Sequence, residues 1–265
     1  TPDNFKYAYA DGKQAVYIYG GTDFFIYDMD EAEVYDIYNP DYVDKFWHGW
    51  TDTLEVKICG GKYLALLNMQ GTDGQNYYAV MDFYGNIITE ATQCELAIAT
   101  EKGNIVTKNG EELNEIALAD LEAPKEQSLN TMALLETNVY RREDVTAGMD
   151  IQGNTYGNAI EYSFVSDPFG TEEYNTCDAW YLGGNYSKLT GTWYFPKEQV
   201  QDGFVHIRLL GDGNLIYDNT DLNAGNCQMS FDIDVSGVSK LSIEYNGICD
   251  ITDVLFGMSD ANLYS

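Results

Sequence analysis

Apolar and polar residues alternate with a period of two through much of this chain. Val205, Ile207 and Leu209 interleave with Phe204, His206 and Arg208, and Phe231, Ile233 and Val235 interleave with Asp232 and Asp234. One apolar and one polar face is what a half-buried strand requires. Elsewhere the apolar residues form short runs rich in β-branched and aromatic side chains, such as QAVYIYGG, FFIYDMD and NYYAVMDFYGNIITE, broken by Gly, Asp and Asn. Such runs are strands, and the breaks are hairpin turns. Helical periodicity is nearly absent before residue 112. The pattern predicts an all-β chain.

Three Gly-containing turns punctuate the first half, at Asp11-Gly12-Lys13, Gly60-Gly61-Lys62 and Lys102-Gly103-Asn104. Their spacing, on the order of 40–50 residues, lies in the range of propeller blades. Residues 1–112 are therefore expected to form a repeat-like β-meander domain. Residues 113–127 lose aromatics and gain Glu, Ala and Pro124, the composition of a linker. Within and just before it, Glu111 to Leu121 is expected to hold a helical turn or two, ending before Pro124. Residues 128–265 return to strands: GNAIEYSF, AWYLGG, KLTGTWYF, FVHIRLL, NLIYDN, CQMSFDIDV, KLSIEYN and DVLFGMSDANLY. Regular short strands with turn signals indicate a sandwich or jelly roll.

The net charge of −29 and a pI near 4.1 narrow the partners. A polyanion is repelled by nucleic acid and by anionic lipid, so neither is expected to bind. The acid is spread over both halves, as a solubilising surface is. No apolar run reaches the length of a membrane span, so no membrane insertion is expected. The chain opens on Thr1 with no leader, the form expected of a mature or excised segment.

Five cysteines (Cys59, Cys94, Cys177, Cys227, Cys249) and two histidines (His48, His206), with no CxxC spacing, argue against a zinc site. Cys177, Cys227 and Cys249 share one half, which leaves either one disulfide or buried thiols open. No Ser-His-Asp signature, phosphate loop or dinucleotide fingerprint is present, so neither catalytic residues nor a cofactor is expected. Asp28-Met29-Asp30-Glu31-Ala32-Glu33 lacks the ligand order of an EF-hand and reads as a solvated acidic loop, with structural calcium left open and no metal assigned.

Three ordered motifs in the second half carry a family resemblance. Leu182, Gly184, Tyr186, Lys188, Leu189, Thr190 and Gly191 come first, within WYLGGNYSKLTGT. Gly211, Asp212, Gly213, Leu215 and Tyr217 follow, and then Val235, Ser236, Gly237, Val238 and Leu241. Residues 128–265 resemble the NPCBM family of carbohydrate-binding modules. That resemblance implies a galactose-binding-like β-sandwich (jelly roll) on a secreted or cell-surface protein of a Gram-positive bacterium. Where sugar-binding members carry a glycine-histidine loop, this chain reads SKLTGTWYF, so no binding residue is carried over. In the first half, Tyr78 to Ile88 resembles the hairpin of a WG-type repeat.

The candidate contacts are aromatic, because sugar CH faces stack on π faces. Trp180 and Tyr181 open the first motif, and adjacent strand residues face opposite sides. Trp47 and Trp50, with Tyr42 just before them, make a concentrated aromatic loop. His206 lies in a strand ladder with no nucleophile in view and is expected to be structural. The expected function is non-catalytic binding to a glycan. The alternatives are a scaffolding module that binds a surface protein, or an accessory region of a glycoside hydrolase whose catalytic domain lies elsewhere.

Overall fold

The computed structural model describes residues 4–10, 13–20, 23–36, 55–57, 65–70, 73–81, 89, 91–117, 123–138, 141–164, 174–198, 203–248 and 254–265. The chain forms two compact units, Thr1–Glu122 and Ala123–Ser265.

Among the described residues, the first unit contains three antiparallel meanders that follow one another in sequence order. β1 (Asn4–Ala10), β2 (Lys13–Gly20), β3 (Asp23–Asp28) and β4 (Glu33–Asp36) form the first. β5 (Glu55–Lys57), β6 (Ala65–Gln70), β7 (Asn76–Met81) and β8 (Thr92–Gln93) form the second. β9 (Leu96–Ala99), β10 (Ile105–Asn109) and β11 (Glu112–Ile116) form the third. Tyr78 and Val80 of β7 share a small core with Cys94, Ala97 and Ile105. The WG-like hairpin supplies β7 up to Met81, and Asp82 to Ile88 lie outside the described residues.

Two local expectations meet the structure here. Glu112–Ile116 is a strand and not a helical turn, because Gly110, at φ 58, closes a tight hairpin that pairs it with β10. The acidic stretch is a turn between β3 and β4, in which the buried Asp28 carboxylate accepts the N–H groups of Asp30 and Glu31 at 2.9 and 3.1 Å. Asp30, Glu31 and Glu33 are exposed.

The second unit is a sandwich of two antiparallel sheets. The strands are β12 (Glu126–Ser128), β13 (Leu134–Thr137), β14 (Arg141–Met149), β15 (Thr155–Phe164), β16 (Asn175–Tyr181) and β17 (Lys188–Tyr194). They continue with β18 (Phe204–Gly211), β19 (Asn214–Asn223), β20 (Gln228–Asp234), β21 (Lys240–Ile248) and β22 (Val254–Tyr264). One sheet has the order β14-β15-β22-β17-β20, with β12 also on β22, and the other has the order β13-β16-β21-β18-β19. From β16 onward the chain changes sheet at every connection except the β18–β19 hairpin. Such switching holds the two sheets together as one sandwich.

The alternation seen in the sequence fills the space between them. Val205, Ile207 and Leu209 from one sheet meet Phe231, Ile233 and Phe256 from the other. Trp180 and Trp193 are fully buried. Burying rings of this size is worth roughly 4–6 kcal/mol each, from about 150–250 Å² at about 25 cal/mol/Å². Cys177 and Cys227 are buried free thiols, whereas Cys249 lies outside the described residues. An ion pair crosses between the sheets: Arg142 Nε of β14 donates to Asp178 Oδ2 of β16 at 2.8 Å, and the Tyr162 hydroxyl donates to the same oxygen at 3.0 Å.

The Gly-Asp-Gly motif has a structural cause. Asp212 and Gly213 both have positive φ, 50° and 78°, the geometry of a two-residue hairpin turn between β18 and β19. The Asp212 carboxylate then accepts the N–H groups of Ser239 and Lys240 and ties the turn to the start of β21.

Candidate functional site

Along β15, Ile160, Tyr162 and Phe164 enter the core, so Glu161 and Ser163 face away from it. The same rule turns Tyr194 of β17 outward, next to the inward Trp193. Tyr194 nonetheless has no solvent exposure. Its ring lies flat on the sheet because Gly148 of β14 and Gly257 of β22 have no side chain there, and a methyl group at either position would overlap it. Tyr156 stacks on the ring from above, with centroids 4.4 Å apart and planes 11° from parallel.

Beside this tyrosine a groove of about 370 Å³ opens on the outer face of the six-stranded sheet. Its lining mixes apolar Val145, Ala147 and Leu255 with polar Glu143, Glu161, Glu198 and Ser163. The Tyr194 hydroxyl donates to Glu161 Oε1 at 2.6 Å. Burial, the bond to Glu161 and the nearby charge of Glu161 and Glu198 push the Tyr194 phenol far above its ordinary value, so it stays a donor. Glu143 stands directly opposite Glu161 in the ladder.

Asp150 anchors Tyr156. Its buried carboxylate accepts bonds from the backbone of Gln152 and Asn154, the Asn154 amide and the Tyr156 hydroxyl, at 2.7–2.9 Å. Burial raises its pKa, but these bonds outweigh that and hold it below the ordinary carboxylate range. Asp150 thereby positions Tyr156, which in turn covers Tyr194.

The sequence-expected contacts fall elsewhere. Trp180 is wholly inside the sandwich and supplies core packing, so it cannot offer a ring face to a ligand. Tyr181 is half-buried on the outer face of the five-stranded sheet, opposite Lys240 and over Gly183. Tyr42, Trp47 and Trp50 lie outside the described residues. His206 faces outward on the same sheet as Tyr181, with Nε2 2.7 Å from Asp218 Oδ1 and the Tyr174 hydroxyl against its ring. Arg208 sits over the Tyr174 ring, 4.3 Å from its centroid. This second cluster is polar and already internally bonded. Among the described residues no group of three or more His, Cys, Asp or Glu side chains could hold a metal ion, and no helix is long and apolar enough to cross a membrane.

Neither Tyr194 nor the three glutamates stood out in the sequence. The available signal was local: outward parity next to Trp193, and isolated glycines at 148 and 257 inside strands.

The second unit is a two-sheet antiparallel sandwich with a part-apolar, part-carboxylate groove on one face. Residues 174–250 match the sequence model of the NPCBM/NEW2 domain family. No curated protein matches the chain. Among solved structures it is similar to the CBM51-2 and INT domains of Clostridium perfringens ZmpB, at 10% identity over 71% of this chain and 43% of that one, with a TM-score of 0.42. It is similar to the CBM51 of Clostridium perfringens GH95 in complex with methyl-galactose, at 11% identity over 52% and 99% of the two chains, TM-score 0.39. The tandem CBM51 modules of Sp3GH98 from Streptococcus pneumoniae SP3-BS71 match at 8% identity over 95% and 84%, TM-score 0.43. The chain thus spans less than half of the ZmpB structure.

Proposed function

We propose that the second unit is a non-catalytic carbohydrate-binding module of a secreted or cell-surface bacterial protein, and that the groove beside Tyr194 is its contact site. The groove composition carries this reading. A pyranose presents an apolar CH face and a rim of hydroxyls, which suit a lining that mixes Val145, Ala147 and Leu255 with the acceptors Glu143, Glu161 and Glu198. The NPCBM/NEW2 match over residues 174–250 supports it. A single groove of this size gives weak affinity, so useful avidity comes from multivalent display.

Glycan-array screening followed by calorimetry on the whole chain tests the reading. Binding is expected, with Tyr194→Phe and Glu161→Gln each weakening it by about tenfold or more, the cost of one buried charge-assisted hydrogen bond. Absence of binding to any glycan at millimolar concentration sinks it. A second reading, a scaffolding module that contacts a surface protein, is favoured by SKLTGTWYF standing where sugar-binding relatives carry a glycine-histidine loop. It predicts an empty array. Hydrolysis of an aryl glycoside by the chain would overturn the non-catalytic assignment.

A further inference from the structure

The chain contains Asn-Gly twice, at Asn109-Gly110 and Asn246-Gly247, and the fold holds the two differently. The side-chain amide of an asparagine can be attacked at Cγ by the backbone nitrogen of the next residue, and a glycine there leaves that approach unhindered. Asn246-Gly247 lies inside β21, opposite His206 and Val205 of β18. Gly247 is buried, and a Cβ on it would meet the Phe164 ring at 2.7 Å, so the backbone has no room to fold back on itself. Asn109-Gly110 instead lies at the end of the β10–β11 hairpin, with both residues exposed and Gly110 at φ 58.

Glu95 touches both groups that would react. The pairing of Lys108 with Leu96 brings Glu95 alongside the hairpin end. Its Oε2 accepts the Gly110 N–H at 2.8 Å, and its own backbone N–H donates to Asn109 Oδ1 at 3.2 Å. A carboxylate on the proton of the attacking nitrogen stands where a general base stands, and an N–H on the carbonyl oxygen stands where an oxyanion donor stands. We propose that Asn109-Gly110 is a self-modification site, at which Glu95 assists cyclisation of the Asn109 amide. The Gly110 N–H proton passes to Glu95 and the nitrogen bonds to Asn109 Cγ. Glu95 returns the proton to Nδ2, the Cγ–Nδ2 bond breaks and ammonia leaves. Water then opens the succinimide at either carbonyl, leaving an aspartate or an isoaspartate at position 109, and nothing is oxidised or reduced. Either product places a new carboxylate beside Glu95 and opposite Glu112, where like charges repel. The isoaspartate also lengthens the backbone by one methylene, which disturbs the β10–β11 register. The reaction thus loosens the hairpin that ends the third meander.

Incubation of the full chain near neutral pH tests this, with peptide mapping by mass spectrometry to follow amide-to-acid conversion at Asn109 and Asn246. In the folded chain Asn109 is expected to convert about tenfold faster than Asn246 or more, and in urea, where both amides lose their surroundings, the two rates should converge. Glu95→Gln keeps the backbone donor, removes the base and changes an exposed side chain. It should slow conversion at Asn109 in the folded chain by about tenfold or more and leave the rate in urea unchanged. Equal folded-state rates at the two positions, or no conversion at Asn109 while the unfolded chain converts, overturns the site, and this comparison needs no variant. An unchanged or faster rate in Glu95→Gln overturns the assignment of Glu95 as the base.

Discussion

Tyr194 depends on residues that are distant from it in sequence. Gly148 and Gly257 clear the space for its ring, Tyr156 covers it and Glu161 receives its proton donor. Gly257→Ala should therefore force the ring off the sheet. The expected cost is about 1–3 kcal/mol, the usual range for overpacking, read by urea denaturation, together with loss of glycan binding. Asp150 makes a second residue-scale prediction. Its folded-state pKa is depressed, so its contribution to stability is complete above the unfolded value of about 3.9 and is lost as pH falls through the lower folded value. Thermal melting of the wild type should lose stability across that acid window. Asp150→Asn should start lower near neutral pH and show a shallower acid dependence.

Element by element, the sequence was most legible where pairing is local. The β18–β19 hairpin could be read from Gly-Asp-Gly and from the alternation on either side of it, because both turn residues need positive φ and the partner strand is the next one along. The β10–β11 hairpin was obscured by a Glu- and Ala-rich composition that resembles a linker or short helix, and Gly110 decided otherwise. Contacts between sheets left no sequence signal of this kind. Arg142 reaches Asp178 across 36 positions, and nothing in REDV or CDAW announces the pair. With Asp178 fully buried, Arg142→Met should leave an uncompensated charge and cost about 3–5 kcal/mol. Equilibrium unfolding checks this, and Arg142→Met/Asp178→Leu should recover much of the loss.

At the scale of the whole molecule, the thiols report on the integrity of each unit. Cys94 belongs to the first unit, and Cys177 and Cys227 to the second, and all three are buried. Burial pushes the Cys94 thiol up to about 11 and raises Cys177 well above its ordinary value, the latter reinforced by the Asp178 charge. A thiol is reactive as the thiolate. Iodoacetamide at mildly alkaline pH should leave these cysteines unmodified in the folded chain and label them only as a unit opens. Peptide mapping over a urea series should show whether Cys94 becomes reactive at a different denaturant concentration from Cys177. Rapid labelling of Cys177 in the absence of denaturant would contradict the packing described here.

The sequence by itself determined the all-β class, the β18–β19 hairpin, the inward faces of β18 and β20 and the acidic net charge. Each of these depends on a residue and its near neighbours, through period-two alternation, turn geometry and net charge. The tertiary structure alone decided which aromatics are available to a ligand. Trp180 and Tyr181 look equivalent as letters, yet one is inside the sandwich and the other on its outer face. The groove exists because β14, β15, β17 and β22 become neighbours, which brings Glu143, Glu161, Tyr194 and Gly257 together from positions 18 to 114 residues apart. Sheet order is set by burying all the inward faces at once, a global condition that no local stretch of sequence records.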